Sequence, residues 1–536
     1  MKRFSYLIVF GYILIAAAAV SAAIPDPVKL DSGLVSGAPV SGGGVQAFKG
    51  IPFAAPPVGP LRWRAPQPVM HWDGVRKAEE FGPRCMQGGV GGGGARGGAR
   101  GAVRGGAGAP TTPAAPAPAA APATPATSED CLYVNVWTGA NSASERRPVM
   151  VFAYGGGFTS GAGSEPRYDG EALAKKGVVF ITFNYRLGMF GFFAHPELTK
   201  ESGHNASGNY AFMDLIEVLR WVQRNATSFG GDPKRVTIMG ESAGAFMVSA
   251  LSASPHGKGL FHRVIAESGA WMGLGIAKMT PLAQAEENGK ELAMTMGVTT
   301  IAELRAKSAD EIQRSGRSSG VIIDGWIVPE DLSVTFAQSR QNEVDVLVGS
   351  NQDEGTFLSR GSMTAQQFTD QARQRFAEQA DAFLKLYPAS SDTEATASEL
   401  GRVRDELAWH MRTWAKLQAK KGKSKAYVFY FTRTPPGTNR GATHTAELSY
   451  VFNNLAPTAT WTDLDRKLAD TMSSYWANFA ATGDPNGKGL PVWPAFKEKG
   501  GEMVLGDKVE AGPGLEPAPI AFFDAAYAKQ QEKRGR

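Results

Sequence analysis

Short apolar runs alternate with stretches of helical periodicity along most of the chain. The runs are rich in Val, Ile and Phe, which predicts strands that are covered on both faces. These predicted strands are Pro148 to Tyr154, Val178 to Asn184, Val236 to Met239, Arg263 to Glu267, Val344 to Gly349 and Ala426 to Phe431. Helices are predicted over Asn209 to Phe229, where apolar residues fall on one side, and around Ala397 to Lys420. Alternation of this kind predicts a mainly parallel sheet flanked by helices.

The composition and net charge of the chain help to exclude some classes of binding partner. The 536 residues are 43% hydrophobic and 20% charged, an ordinary globular balance, and the formal net charge is +5. Five cations lie in peripheral segments: Lys2, Arg3, Arg96, Arg100 and Arg104. Without them the rest of the chain is formally neutral, so the net positive charge does not indicate a surface that binds nucleic acid.

The first 23 residues have the pattern of an export signal. Two basic residues are followed by an apolar run from Phe4 to Val20 and by small residues that end at Ala22 and Ala23. This pattern predicts a cleaved signal peptide over residues 1–23 and a periplasmic or secreted protein. An uncleaved membrane anchor is the alternative, because the run is near the length that spans a bilayer.

The chain has two cysteines, Cys85 and Cys131. In an exported protein, two cysteines most simply form one disulfide. Residues 88–128, between them, are rich in Gly, Ala and Pro and contain no aromatic or acidic residue. Such a segment cannot bury enough apolar surface to offset its ordering entropy. We therefore expect a disordered insertion within a single domain that spans residues 24–536.

The stretch Gly240 to Gly244 matches the pattern G-x-S-x-G, with Ser242 at its centre. It follows a predicted strand and opens a predicted helix, which is the setting this motif requires. A sharp turn there projects the serine hydroxyl above the edge of the sheet. The alternative is a tight strand-to-helix turn with an incidental serine.

A nucleophilic serine needs a histidine base, and in an α/β-hydrolase the chain order is serine, acid, histidine. Four histidines follow Ser242: His256, His262, His410 and His444. The first two come too early for an acid-bearing strand to precede them. His410 falls inside a predicted helix, where a packing role is expected. His444 lies in a loop after the last predicted strand and is the candidate base.

The acid and the oxyanion donors are sought at the ends of other strands. Asp353 and Glu354 both follow the strand that is predicted to end at Gly349, and position alone does not choose between them. The amide of Ala243, directly after the serine, is one candidate oxyanion donor. The run from Gly155 to Phe158 follows an earlier strand and offers further amides without side chains in the way.

Several stretches together resemble the type-B carboxylesterases, in the carboxylesterase/cholinesterase family of the α/β-hydrolase superfamily. They are Phe48 to Ala54, Glu129 to Val136, Tyr154 to Gly157, Phe183 to Gly188, Phe229 to Pro233, Gly240 to Gly244, Asn351 to Gly355 and Thr482 to Asn486. The resemblance implies an α/β-hydrolase fold, with a large, mostly parallel central sheet flanked by helices and helical insertions around an active-site gorge.

The resemblance also implies a role for each candidate site residue. It implies Ser242 as nucleophile, His444 as base, Glu354 as the acid, Gly156, Gly157 and Ala243 as oxyanion donors, Glu241 and Glu447 as hydrogen-bonding support, and a Cys85–Cys131 disulfide. No metal or cofactor is needed for this chemistry.

The sequence departs from the family at two places. In cholinesterases, the loop between these cysteines carries a tryptophan that holds a quaternary ammonium group by cation–π contact. Residues 88–128 have no aromatic side chain, so no choline-type site is expected from that loop. Tyr154 precedes the glycine run where many carboxylesterases have His, which leaves the oxyanion role intact.

Together these features predict a serine hydrolase that cleaves small to medium, uncharged carboxylic esters through an acyl-enzyme. The expected partner is a small-molecule ester, with no nucleic acid and no stable membrane insertion after signal cleavage. A non-catalytic binding or adhesion module on the same fold and a lipase for long acyl chains are the alternatives. The natural ester and the oligomeric state stay open.

Overall fold

The computed structural model describes residues 24–40, 43–88, 124–275, 278–358, 362–420, 422–455, 460–497 and 500–534, the side chains at 357 and 358 excepted. The predicted signal peptide and most of the predicted insertion lie outside these residues.

An eleven-stranded sheet forms the centre of the described part of the chain. Its strands are β1 (Ala38–Pro39), β2 (Gln46–Pro52), β3 (Tyr133–Thr138), β4 (Arg147–Ala153), β5 (Val179–Phe183), β6 (Gly231–Glu241), β7 (Arg263–Glu267), β8 (Asp345–Asn351), β9 (Ala426–Phe431), β10 (Glu502–Leu505) and β11 (Val509–Ala511). They are ordered β11-β10-β9-β8-β7-β6-β4-β5-β3-β2-β1. All pairs from β10 to β5 are parallel, and the pairs outside them are antiparallel.

The described part of the chain has seven longer helices. They are α1 (Tyr210–Asn225), α2 (Ala243–Ala253), α3 (Leu282–Thr295), α4 (Ala365–Phe376), α5 (Asp392–Ala419), α6 (Asp463–Thr482) and α7 (Pro517–Arg534). Shorter helices are Glu171–Lys175, Gly188–Gly191, Pro196–Glu201, Ile301–Ala306, Ala309–Arg314, Leu332–Ala337, Gly355–Leu358, Ala380–Leu386 and Leu448–Val451. Small sheets join Val28–Lys29, Leu34–Ser36 and Val75–Lys77; Thr280–Pro281 and Ile322–Ile323; and Arg84–Cys85 and Thr127–Ser128. None of the described helices has the length and apolarity needed to cross a bilayer.

The apolar runs of the sequence form the buried middle of the sheet. Every residue of β5 and of β9 is buried, as expected for parallel strands covered by helices on both faces. On α1 the predicted apolar side is buried against the core. The predicted mostly parallel sheet flanked by helices is confirmed.

The helix predicted over Asn209 to Phe229 is observed in two consecutive parts. α1 ends at Asn225, and a 3-10 turn, Ala226–Phe229, continues it to the predicted end. Gly230 adopts a left-handed φ of 75°, which ends the turn, and Gly231 already pairs with Arg147 in β4. β6 therefore begins several residues before its apolar run, and its register with β4 shifts between Gly231 and Val236.

The parallel strands carry the candidate residues to one edge of the sheet. Loops leave the carboxyl ends of β4, β6, β8 and β9, and each contains a residue of the candidate site. Because the carboxyl ends of parallel strands lie at the same edge, these loops converge. The predicted disulfide between Cys85 and Cys131 is present, and both cysteines are buried.

Candidate active site

Ser242 stands between the end of β6 and the start of α2, in a strained turn. Its φ of 53° and ψ of −121° are unusual for a residue with a side chain. Its amide donates to the carbonyl of Glu267 at 2.9 Å, which fixes the turn against β7. Gly244 is required, since a Cβ there would lie 1.9 Å from the carbonyl oxygen of Ala153. Ser242 stays partly exposed although its neighbours are buried.

His444 and Glu354 are brought together although they lie 90 positions apart. The Nδ1 atom of His444 is 2.6 Å from Oε2 of Glu354, and both side chains are buried. Asp353, the alternative that position left open, instead accepts a hydrogen bond from the amide of Ala442 at 2.8 Å. The structure therefore pairs the histidine with Glu354.

The second carboxylate oxygen of Glu354 is held by two donors. The hydroxyl of Ser268 donates to Oε1 at 2.5 Å, and the amide of Asn351 donates to the same atom at 2.9 Å. These bonds orient the carboxylate, so that Oε2 faces His444. Sequence reasoning gave neither residue this role, although Ser268 follows β7 and Asn351 ends β8 at the sheet edge where site residues gather.

Further buried acids surround His444. Glu241 Oε1 lies 3.2 Å from the Nε2 atom of His444. Glu447 accepts a hydrogen bond from the side-chain amide of Asn351, and Glu267 accepts one from Trp476 at 2.8 Å. Among the described residues, no cluster of three His, Cys, Asp or Glu side chains has the geometry of a metal site.

Burial and mutual charge shift the pKa values of this group. Burial raises the pKa of the Glu241, Glu267 and Glu447 carboxyls, and their neighbouring acids add to the effect. For His444, burial by itself lowers the pKa, but the carboxylates of Glu354 and Glu241 outweigh it and raise the pKa above the usual value. The charges of Glu354 and Glu241 thus stabilise the imidazole when it is protonated.

The loop from Gly155 to Gly163, which we call the glycine loop, passes directly beside Ser242. A Cβ on Gly155 would lie 3.0 Å from the Cβ of Ser242. In the described part of the chain, no protein group accepts a hydrogen bond from the amides of Gly156, Gly157 or Ala243. Ala243 is the first residue of α2, where amides have no partner within the helix.

Aromatic side chains support the glycine loop. Phe158 packs against Phe192, with ring centroids 5.0 Å apart. Tyr154 stacks on Tyr185 at 4.3 Å, and the hydroxyl of Tyr185 donates to the carbonyl of Tyr154 at 2.7 Å. Tyr154 is fully buried, so its side chain braces the start of the loop.

The remaining candidate histidine, His410, serves the scaffold. It is buried in α5, where its Nδ1 accepts from the amide of Met272 at 3.3 Å and its Nε2 lies 2.5 Å from the carbonyl of Leu274. Burial lowers the pKa of His410, so the neutral ring is favoured. The packing role expected for this residue agrees with these contacts.

The fold and the elbow at Ser242 define an α/β-hydrolase. Solved structures agree: one titled PNB esterase matches with a TM-score of 0.75 and 29% identity over 93% of this chain and 99% of its own. A thermophilic PNB esterase matches with a TM-score of 0.74 and 30% identity, over 91% of this chain and 97% of its own.

The sequence comparisons identify the family. A family profile described as "Carboxylesterase family" matches residues 25–522. A Fumonisin B1 esterase of Sphingopyxis macrogoltabida is 36% identical over 97% of this chain and 94% of its own length. A para-nitrobenzyl esterase of Bacillus subtilis is 32% identical over 87% and 91% of the two chains. The chain belongs to the carboxylesterase family and is an ester hydrolase.

Proposed function

We propose that the chain cleaves carboxylic esters through an acyl-enzyme on Ser242, with His444 as general base and acid. The observation that carries this proposal is the 2.6 Å contact between His444 and Glu354 at the sheet edge where Ser242 follows the end of β6. A serine, an acid and a histidine that follow one another in this order along the chain are the catalytic groups of an α/β-hydrolase.

In the first half-reaction the ester becomes an acyl-enzyme. The Nε2 atom of His444 takes the proton of Ser242 as its oxygen attacks the ester carbonyl. The negative charge that develops on the carbonyl oxygen is stabilised by the amides of Gly156, Gly157 and Ala243. The tetrahedral intermediate then collapses, and the alcohol leaves with the proton that His444 returns.

In the second half-reaction water releases the acid. His444 takes a proton from a water molecule, whose oxygen attacks the acyl carbon through a second tetrahedral intermediate. The bond to the serine oxygen breaks, and His444 returns the proton to Ser242. Glu354 accepts a hydrogen bond from the Nδ1–H group of His444 throughout, which keeps Nε2 directed to the reacting atoms and stabilises the imidazolium.

The proposed substrates are esters with small to medium, uncharged acyl and alcohol groups. Phe158 supplies apolar surface within the glycine loop. The buried acids around His444 disfavour a substrate that itself carries a negative charge. Fumonisin B1, after which the relative at 36% identity is named, is a further ester to assay.

The test is hydrolysis of p-nitrophenyl esters of rising acyl length by wild-type and Ser242→Ala protein, together with labelling by a fluorophosphonate. We expect turnover and labelling of the wild type on short chains and neither in the variant. Residual hydrolysis by pure Ser242→Ala protein would overturn the assignment of the nucleophile. A preference for long chains would favour the lipase, and no turnover with no labelling would favour the binding module.

A further inference from the structure

The glycine loop is hydrogen-bonded to a buried glutamine that the mechanism does not use. Gln87 is 6% exposed and follows the disulfide residue Cys85 by two positions. Its Nε2 donates to the carbonyl of Gly161 at 2.9 Å, and the amide of Gly161 donates back to its Oε1 at 3.0 Å. The same Nε2 also donates to the carbonyl of Cys85 at 3.0 Å. The side chain therefore joins two backbone segments that lie 74 positions apart.

Gly161 immediately follows the turn that sets the direction of the Gly157 amide, one of the candidate oxyanion donors. The carbonyl of Gly156 accepts hydrogen bonds from the amides of Thr159 at 3.1 Å and Ser160 at 3.2 Å, which closes the turn. A trans peptide unit points its carbonyl and its N–H in opposite directions. A Gly156 carbonyl that is fixed inside the turn therefore aims the N–H of Gly157 outward.

A second side chain joins the same two segments. The Oδ1 atom of Asn184 accepts from the amide of Gly163 at 2.9 Å, and its Nδ2 donates to the carbonyl of Pro83 at 2.9 Å. The segment from Pro83 to Gln87 is thus bonded to the far end of the glycine loop on both sides of Cys85. The disulfide fixes that segment in turn.

We propose that Gln87 is a positioning residue for ester hydrolysis: by pairing with the backbone of Gly161 in both directions, it holds the glycine loop so that the amides of Gly156 and Gly157 meet the developing oxyanion. This inference rests on the proposed function, since it assumes an oxyanion at those amides. It assigns Gln87 no contact with the substrate.

The two amides bind the transition state more tightly than the ester, so their displacement lowers kcat and leaves KM almost unchanged. Loss of a whole oxyanion donor costs about 10²–10³ in kcat. Gln87→Ala keeps both donor amides but removes the side-chain hydrogen bonds that hold their loop. We therefore expect kcat to fall by about tenfold, with KM within about twofold of the wild-type value.

Gln418→Ala is the matched control. Gln418 is fully buried and donates from its Nε2 to the carbonyls of Asn342 at 3.0 Å and Val344 at 2.9 Å. These carbonyls lie just before β8, at the end of the sheet opposite the candidate site. Gln418→Ala therefore removes the same kind of hydrogen bonds and should lower thermal stability without lowering kcat.

The experiment measures kcat, KM and thermal stability for wild type, Ser242→Ala, Gln87→Ala and Gln418→Ala on one short p-nitrophenyl ester. It also measures the inhibition constant of a trifluoromethyl ketone, whose adduct with Ser242 places an oxyanion at the same amides. We expect the inhibition constant of Gln87→Ala to rise by about tenfold, in step with the fall in kcat/KM.

An unchanged kcat and inhibition constant in folded Gln87→Ala protein would overturn the inference, as would an effect confined to KM. If Gln87→Ala is not recovered folded, Gln87→Glu answers the same question, because a carboxylate keeps the acceptor for Gly161 but loses the donor. An inactive wild type would instead refute the proposed function, so the two failures are distinguishable.

Discussion

Glu241 Oε1 lies 3.2 Å from the Nε2 atom of His444, while Glu354 holds the Nδ1 atom of the same ring at 2.6 Å. The imidazole is therefore placed between two buried carboxyl groups. Burial by itself lowers the pKa of His444, but the two carboxylates outweigh it and raise the pKa. A general base must be neutral to act, so this arrangement sets the pH at which hydrolysis begins.

Replacing Glu241 by glutamine should extend activity to lower pH. The substitution removes one of the charges that stabilise the imidazolium, so the pKa of His444 falls and the neutral base persists in more acidic solution. We expect the acid limb of the profile of kcat/KM against pH to move down by about one unit. The same profile for Asp353→Asn should coincide with the wild type. If the acid limb of the Glu241→Gln profile lies at the same pH as that of the wild type, Glu241 does not raise the pKa of His444 and the prediction is contradicted.

Glu354→Gln should nearly abolish turnover, whereas Asp353→Asn should retain it. A glutamine that presents its amide to Nδ1 favours the wrong tautomer of His444, which in a related triad costs about 10⁴ in kcat. The Asp353 carboxylate accepts from the backbone amide of Ala442 and, among the described residues, makes no hydrogen bond to the histidine, so its loss should leave His444 in place. The measurement is kcat of both folded variants on one short ester. Equal losses in the two variants would contradict the assignment of the acid.

Ser268→Ala tests how the acid is held. The substitution removes the donor at 2.5 Å from Glu354 and, of the donors in the described part of the chain, leaves the amide of Asn351 on that oxygen. A buried hydrogen bond to a charged group is worth about 1.5–3 kcal/mol, so we expect kcat to fall by about tenfold or more. A variant with unchanged kcat would show that Asn351 alone orients the carboxylate.

Most of the parallel strands and the candidate nucleophile could be predicted from the sequence, because short continuous stretches of the chain indicate them. The last predicted strand, Ala426 to Phe431, has the observed limits of β9, since its continuous apolar run ends where burial ends. The strands β2 and β3 were not predicted as strands. They pair antiparallel near one edge of the sheet and lack an equally continuous apolar run.

The supporting contacts could not be predicted, because they join residues that are distant along the chain. Ser268 and Glu354 are 86 positions apart, and Gln87 and Gly161 are 74 apart. No periodicity or motif encodes such a pair. Only the register of the strands and the course of their loops bring the two residues together. Position along the chain did not decide between Asp353 and Glu354 as the acid. The family resemblance implied Glu354, and in the structure Glu354 contacts His444.

Removal of the disulfide by Cys85→Ala with Cys131→Ala should lower the free energy of unfolding. The bond closes a loop of 46 positions, which is worth about 4 kcal/mol in a chain-entropy account. The urea midpoint at neutral pH is the measurement, and wild-type protein in excess reductant should approach the variant. An unchanged midpoint would contradict the prediction.

The backbone of Ser242, with φ of 53° and ψ of −121°, lies where a residue with a side chain pays about 1–3 kcal/mol and a glycine much less. A chain selected only for heat resistance would gain by exchanging this serine for glycine, and it would lose catalysis in the same step. Directed evolution of this scaffold toward hotter conditions therefore needs turnover, and not survival of the fold alone, as the trait under selection.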